Sequence, residues 1–256
     1  VVEAAGRRHA HIRDLPELLP AGALLVVNDT RVLPARLFGH KPSGGRVELL
    51  LVSRCEASGD DDPRAEVWRG MARANRPLRP GTTIRCDGMQ VTFGPRDEAG
   101  LAEVTLLPDG DESVASVLER CGELPLPPYL QRRAETLDRE RCQTVYAREA
   151  GAVAAPTAGL HLSEALIAQL GERGIDLVAV TLHVGPGTFR PVEVDDLADH
   201  VMHREHYAVD EAVAQRINEH KARGGPVIAV GTTVVRTLES AQKDGRVVAP
   251  RGETDL

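Results

Sequence analysis

"GALLVVNDTRVLPARLFG", residues 22–39, joins an apolar run to an alternating one through three polar residues. The run Leu24 to Val27 predicts a buried strand, since nothing in it alternates with polar side chains. Asn-Asp-Thr at residues 28–30 predicts a turn, and the alternation that follows predicts a second strand with one apolar face. The stretch therefore predicts a change of structural layer near residue 31.

Short strands dominate the next part of the chain. Each is bounded by Gly, Pro or Asp, and helical periodicity is weak between them. This spacing is typical of a small β-barrel, which we place between about Val32 and Pro108. Besides the alternating strand after residue 31, the predicted strands are "GGRVELLLVSR" after its Gly-Gly turn and segments near Ala65–Met71, Thr83–Arg85, Gln90–Phe93 and Ala102–Leu107.

Helices and strands alternate after Pro108, which predicts an α/β layer with ligands near the carboxyl ends of its strands. A helix should end near Gly122 before a Pro-rich linker, and Ser163 should cap a helix that runs to about Arg173. The tail "GRVVAPRGETDL" predicts no closing element. The other predicted elements are strands in "IDLVAVTLHV" and "PVIAVGTT" and helices in "DEAVAQRINEHKARGG" and "VVRTLESAQ".

Composition places the chain among ordinary globular proteins. It has 256 residues, 42% hydrophobic and 27% charged, and a net charge of −7, which disfavours a dedicated nucleic-acid binder. Neither a bilayer-spanning apolar run nor a secretory signal is evident, so we expect a soluble cytoplasmic protein. The four cysteines lack a C-x-x-C pair, which indicates reduced thiols rather than a zinc ribbon.

The loops at the predicted strand ends combine small residues with hydroxyls and imidazoles. Gly lets the main chain approach a ligand closely, and a helix start leaves N–H groups free for a carboxylate or hydroxyl. The glycine spacing fits no phosphate-binding fingerprint, and such a loop alone is more often a turn with a capped helix. The candidate substrate-binding residues are Asn28, Thr30, Arg31, Thr157, Gly159, Gly185, Gly187, Thr188, Gly231, Thr232, Thr233 and Arg236.

Histidines recur every three residues at His200, His203 and His206, which predicts one side of a helix or tight turn. No further Cys, Asp or Glu completes a metal-ligand set, so proton transfer is the favoured use and no metal is predicted. For His206 a surface or packed role stays open. Arg236 suits a carboxylate or phosphate, or an ion pair with Glu239 or another acid.

Five arginines and no acid occupy residues 69–85. An acidic protein that binds RNA must concentrate its positive charge locally. We therefore predict RNA contacts for Arg69, Arg73, Arg76 and Arg79. The alternative is a solvated loop and strand edge.

Seven collinear blocks resemble the S-adenosylmethionine:tRNA ribosyltransferase-isomerases of queuosine biosynthesis. The resemblance implies an α/β domain with an inserted β-barrel, here residues 1–31 and 109–256 around residues 32–108. It implies a tRNA partner and S-adenosylmethionine as a substrate, with no metal or other cofactor. The blocks are "NDTRVLPARL", "GGRVELLL", "ELPLPPYL", "CQTVYAREAGAVAAPTAGLHL", "VTLHVGPGTFRPV", "HVMHREHY" and "VIAVGTTVVRTLES".

The reaction implied by this resemblance moves the ribosyl group of S-adenosylmethionine onto 7-aminomethyl-7-deazaguanine at the tRNA wobble position and isomerises it. Epoxyqueuosine forms, and adenine and methionine leave. A sulfonium acidifies the C5′ protons, adenine leaves best protonated, and the attacking amine must be neutral, so several acid–base groups are needed. Our candidates, in no assigned order, are Asp29, His161, His183 and His203.

The same chemistry suggests where the substrate binds. Its methionine carboxylate is expected on the helix start at Thr232 and Thr233 or on Arg236, and Gly185 and Gly187 are expected near the ribose or adenine. Family members begin earlier and continue past Leu256, so we expect this chain to lack their terminal segments. A non-catalytic RNA-binding module and an adenosyl-compound hydrolase remain alternatives. The sequence indicates no oligomeric state.

Overall fold

The computed structural model describes residues 2–3, 6–7, 9–55, 62–98, 100–127, 130–189, 196 and 204–256. His200 and His203 lie outside this part of the chain. The helices are α1 (Leu15–Leu18), α2 (Val114–Cys121), α3 (Thr136–Arg141), α4 (Glu164–Glu172), α5 (Glu211–Ala222) and α6 (Thr232–Ser240). The strands are β1 (Val2–Glu3), β2 (Gly6–Arg7), β3 (Leu24–Asn28), β4 (Thr30–Val32), β5 (Arg36–His40), β6 (Arg46–Arg54), β7 (Glu66–Ala74), β8 (Thr83–Cys86), β9 (Met89–Arg96), β10 (Ala102–Pro108), β11 (Glu149–Ala152), β12 (Asp176–Leu182), β13 (Glu205–Ala208), β14 (Val227–Ala229), β15 (Gln242–Lys243), β16 (Arg246–Val247) and β17 (Arg251–Thr254).

A five-stranded sheet in the order β14-β3-β12-β13-β17 carries the candidate site. Strands β14, β3 and β12 are parallel, whereas β13 and β17 continue the sheet antiparallel. Because parallel neighbours end at the same edge, the loops after β3, β12 and β14 lie side by side.

Strand β3 is buried on both faces, as its continuous apolar run predicts. Leu24 and Val26 belong to the core formed with α5 and α6. Leu25 and Val27 belong to the core on the opposite face, formed with α4. Packing on both faces fixes the position of β3 within the sheet. The polar residues that follow β3 therefore lie at the sheet edge.

Strands β5 to β10, which come after β3 and β4 in the chain, form a closed antiparallel barrel in the order β10-β7-β6-β5-β8-β9. Its interior is apolar, and Val117 and Leu118 of α2 extend that core. The predicted fold class, a mixed sheet-and-helix unit with a small β-barrel, is confirmed. The domain boundaries at residues 32 and 108 stay predictions; β4 pairs with β11 rather than with a barrel strand.

Two predictions for the last quarter of the chain are wrong. His206 lies in strand β13, not on a helix or tight turn, because β13 is held between β12 and β17. The tail does contain a closing element, since β17 pairs with β13. Both strands are short and contain polar residues. Pairing with neighbouring strands, rather than the local sequence pattern, therefore determines their conformation. Among the described helices, none has the length and apolarity needed to cross a bilayer.

Candidate active site

Asn28 ties the ends of β3 and β12 together through its side chain. Its Nδ2 donates to the Leu182 carbonyl oxygen at 3.0 Å, and its Oδ1 accepts from the Leu182 N–H at 3.0 Å. The same Oδ1 accepts from the Thr30 N–H at 3.2 Å. Asn28 is buried, so these bonds satisfy it internally and hold the residues after each strand in register.

Asp29 is also buried, and two groups hold its carboxylate. Thr181 Oγ1 donates to Oδ1 at 2.8 Å, and Arg148 Nη2 lies 2.9 Å from Oδ2. Burial raises the pKa of Asp29, while Thr181 and Arg148 oppose that rise by stabilising the charged form. Both oxygens therefore point to protein partners.

Thr30 and His183 meet although they are 153 residues apart in the chain. Thr30 Oγ1 lies 2.8 Å from His183 Nδ1 and 3.4 Å from the Glu149 carbonyl oxygen. Burial, followed by the charge of His206, lowers the pKa of His183, and Glu149 opposes them. A neutral, oriented imidazole thus stands at the sheet edge.

Gly151 makes room for this imidazole. A Cβ on Gly151 would lie 2.6 Å from Cε1 of the His183 ring, closer than side chains pack. Any larger residue at this position of β11 would displace the ring, so glycine here serves close packing.

The turn after His183 is held by a buried ion pair. Glu205 Oε1 accepts from the Gly185 N–H at 2.8 Å, and its Oε2 is paired with Arg236 Nη1. Arg236 Nη2 also donates to the Thr254 carbonyl oxygen at 3.0 Å. Burial raises the pKa of Glu205, which Gly185 and Arg236 oppose. Arg236 thus forms an ion pair with Glu205 rather than Glu239, and its binding of a substrate carboxylate or phosphate stays a prediction.

Helix α6 starts directly behind this edge. Gly231, its N-cap, has φ 90°, a conformation that favours glycine. Thr233 Oγ1 is buried and finds no hydrogen-bond partner among the described residues. The first N–H groups of a helix lack partners within it, so this start presents donors next to an unsatisfied hydroxyl.

A 3-10 helix, Thr157–His161, packs beside the start of α6. The Ala158 Cβ lies 3.0 Å from where a Cβ of Gly231 would stand. Gly159 is packed against Tyr146, whose hydroxyl is buried and finds no partner among the described residues. Burial raises the pKa of Tyr146 to about 12, so this hydroxyl stays protonated.

The structure thus brings four predicted loops to one edge: residues 28–30, the 3-10 helix, the turn after His183 and the start of α6. Thr157 and His161 are exposed on their helix, as is Thr188 in the 3-10 helix Pro186–Phe189, which also contains Gly187. Arg31 is exposed on β4, between the buried residues Thr30 and Val32. Its Nη2 lies 3.8 Å from Oε1 of Glu119 in α2. His203 lies outside the described residues.

The predicted RNA-binding arginines lie on the barrel, apart from this edge. Arg69 and Arg73 belong to β7, and Arg76 and Arg79 to the loop that follows. All four are exposed. Arg69 lies 3.9 Å from Asp97. In the part of the chain that the structure describes, no acid comes within ion-pair distance of the other three.

Several residues that shape the site could not be identified from the sequence: Gly151, Tyr146, Arg148, Thr181 and Glu205. Their neighbours lie far away in sequence, so no spacing reveals them. The one local signal is that all five lie inside blocks already singled out: Tyr146, Arg148 and Gly151 in residues 142–162, Thr181 in residues 180–192 and Glu205 in residues 200–207.

Comparison with known proteins decides the assignment. The family described as "queuosine biosynthesis protein" matches residues 1–256. The chain belongs to this family. The resemblance expected from its sequence blocks is thereby confirmed.

Named relatives in the family support the same grouping. The chain is 50% identical over 248 residues to the S-adenosylmethionine:tRNA ribosyltransferase-isomerase of Anaeromyxobacter sp. (strain K), covering 97% of this chain and 70% of that protein. It is 50% identical over 266 residues to the protein of that name from Sorangium cellulosum, covering 97% and 71%. The crystal structure of an S-adenosylmethionine tRNA ribosyltransferase from Thermotoga maritima is 26% identical, with a TM-score of 0.37, and is matched over 95% of this chain and 64% of its own.

Proposed function

We propose that this chain transfers the ribosyl group of S-adenosylmethionine to 7-aminomethyl-7-deazaguanine at the tRNA wobble position and isomerises it. The products are epoxyqueuosine-tRNA, adenine and methionine. The observation that carries the proposal is the Thr30–His183 pair at the polar sheet edge of a queuosine-family chain.

His183 is the base that removes a C5′ proton. The neighbouring sulfonium makes this proton acidic, because it stabilises the carbanion left behind. A base for this step must be neutral near pH 7, and the lowered pKa of His183 keeps it so. Of the candidates Asp29, His161 and His183, His183 is the one whose imidazole the described residues hold by a side-chain hydrogen bond.

Thr30 selects the tautomer of this base. Its hydroxyl has one proton, which the Glu149 carbonyl oxygen can accept at 3.4 Å. Thr30 Oγ1 then accepts from Nδ1–H of His183 at 2.8 Å. The lone pair is left on Nε2, the nitrogen that takes the substrate proton.

The methionine carboxylate binds at the start of α6. Unpaired N–H groups and the helix dipole favour an anion there, and Thr233 Oγ1 supplies a further donor. Arg236 pairs with Glu205 and donates to the Thr254 carbonyl oxygen, and through these contacts it orients the region behind the helix start. Gly185 and Gly187 allow the ribose or adenine to approach the main chain.

Asp29 supports the edge through its bonds to Thr181 and Arg148. A direct proton-transfer role for Asp29, or for His161, stays a prediction. The tRNA is held through Arg73, Arg76 and Arg79 on the barrel, with Arg69 beside them, where exposed guanidinium groups meet phosphate.

The test follows two products at once. The assay uses the full-length protein. With S-adenosylmethionine labelled in the ribose and tRNA bearing the deazaguanine, label should enter the tRNA as adenine is released in equal amount. Absence of both products would overturn the proposal.

Two other outcomes identify the competing functions. Adenine release without tRNA would indicate an adenosyl-compound hydrolase. Salt-dependent tRNA binding that survives His161→Ala and His183→Ala, with no turnover by the parent, would indicate a non-catalytic RNA-binding module.

A further inference from the structure

A row of three side chains crosses the sheet at the candidate site. The His183 N–H donates to the His206 carbonyl oxygen at 2.9 Å, which continues the antiparallel register of β12 and β13. His206 is paired in turn with Glu253 of β17. Residues directly opposite each other in neighbouring strands project from the same face, with Cβ atoms about 5 Å apart. His183, His206 and Glu253 therefore form one continuous row.

The members of this row differ in environment. His183 is largely buried, whereas the His206 side chain is 49% exposed. His206 Nε2 lies 3.4 Å from Glu253 Oε1, an ion-pair distance when the imidazole is charged. Glu253 Oε2 also lies 3.8 Å from Arg204 Nη1. The charge of Glu149, on β11, raises the pKa of His183 and so opposes the effect of burial. Burial thus disfavours a charged His183, whereas the carboxylate of Glu253 faces His206.

We propose that His206, held by Glu253, is the acid that protonates the departing adenine, while its neighbour His183 acts as the base. The inference rests on the proposed function and adds a residue to it. As the C1′–N9 bond breaks, its electron pair moves onto adenine, and the proton on His206 Nδ1 passes to adenine. His206 is left neutral and regains a proton from solvent. Acid–base catalysis needs one group that accepts a proton and one that donates a proton, and the row supplies two neighbouring imidazoles for these roles.

The activity test uses His206→Ala in the full-length protein. His206 is half exposed, so this truncation leaves the core intact. We expect adenine release to fall about 10²- to 10⁴-fold, with the KM for S-adenosylmethionine little changed. The alkaline limb of the pH–rate profile should disappear, and added imidazole should restore part of the rate. Glu253→Gln, which removes the carboxylate that holds His206, should lower the rate of adenine release, whereas Glu239→Gln, an exposed acid on α6, should leave the rate unchanged.

A second measurement is independent of turnover. Histidine side-chain NMR titration of His206→Ala should show a rise in the pKa of His183, because the positive neighbour is gone. An unchanged His183 titration, or an alkaline limb retained by His206→Ala, would overturn the role of His206. A parent protein that releases no adenine would instead remove the proposed function and this inference together.

Discussion

The Thr30 hydroxyl is the smallest group on which the proposed chemistry depends. Thr30→Val keeps the shape and removes the partner of His183 Nδ1. Because the ring would lose its tautomer and orientation, we expect kcat for adenine release to fall about 10²-fold, with little change in KM. Thr92→Val is the control, since Thr92 makes a similar hydroxyl contact on the barrel. Equal losses from both variants would mean that the effect is structural.

Substitution of Gly151 tests the importance of the position of the His183 imidazole, separately from its hydrogen bond to Thr30. Gly151→Ala places a methyl group 2.6 Å from His183 Cε1, so the ring must move. We expect a fall in kcat/KM of at least about tenfold, since small misplacements of a catalytic group are costly. Gly45→Ala, whose Cβ would lie 3.7 Å from Lys41, should have no effect. Full activity of the Gly151 variant would show that the position of His183 is unimportant.

Three elements meet at the Glu205–Arg236 pair: β13 carries Glu205, α6 carries Arg236, and β17 accepts its second bond through Thr254. Glu205→Ala leaves the largely buried guanidinium without its carboxylate. Removing one partner of a buried pair costs about 3–5 kcal/mol, so urea unfolding should show a decrease of that order in the free energy of unfolding. Glu239→Ala on the same helix should change stability by less than about 0.5 kcal/mol. An equally small change in the free energy of unfolding for Glu205→Ala would mean that the Glu205–Arg236 pair is not buried.

Sequence pattern predicts elements whose periodicity is strong and misses those defined by their partners. Strand β3 and helix α4 could be foreseen because an apolar run and a Ser cap are local signals. Strands β13 and β17 could not, since each is four residues long and polar residues recur in both. Their strand conformation comes from pairing across the sheet edge.

The candidate site divides in the same way. Its loops could be predicted, because strand ends converge in an α/β sheet. Its contacts could not: Asn28 bonds to Leu182 and Asp29 to Thr181 over more than 150 residues of chain. Only the folded sheet brings such groups into register, and therefore the sequence could not identify Glu205 as the partner of Arg236.

The distribution of charge over the protein predicts how tRNA is held. Net charge is −7, yet exposed arginines lie together on β7 and the loop after it. Replacing Arg73, Arg76 and Arg79 with Gln should weaken tRNA binding and reduce the slope of log K against log salt by about 0.7–0.9 for each phosphate that is no longer neutralised. A control with the same charge change, Arg173, Lys221 and Lys243 to Gln, uses exposed residues of the α/β unit. Identical behaviour of both variants would assign RNA binding to another surface.

The loops at the carboxyl edge of β3, β12 and β14 are proposed to form one catalytic cleft. A crystal structure of the full-length protein with S-adenosylmethionine bound tests this proposal. We predict that the ribose C5′ lies about 3–3.5 Å from His183 Nε2 and that the methionine carboxylate contacts the start of α6. A substrate bound away from His183, or with its carboxylate remote from Thr232 and Thr233, would contradict the account.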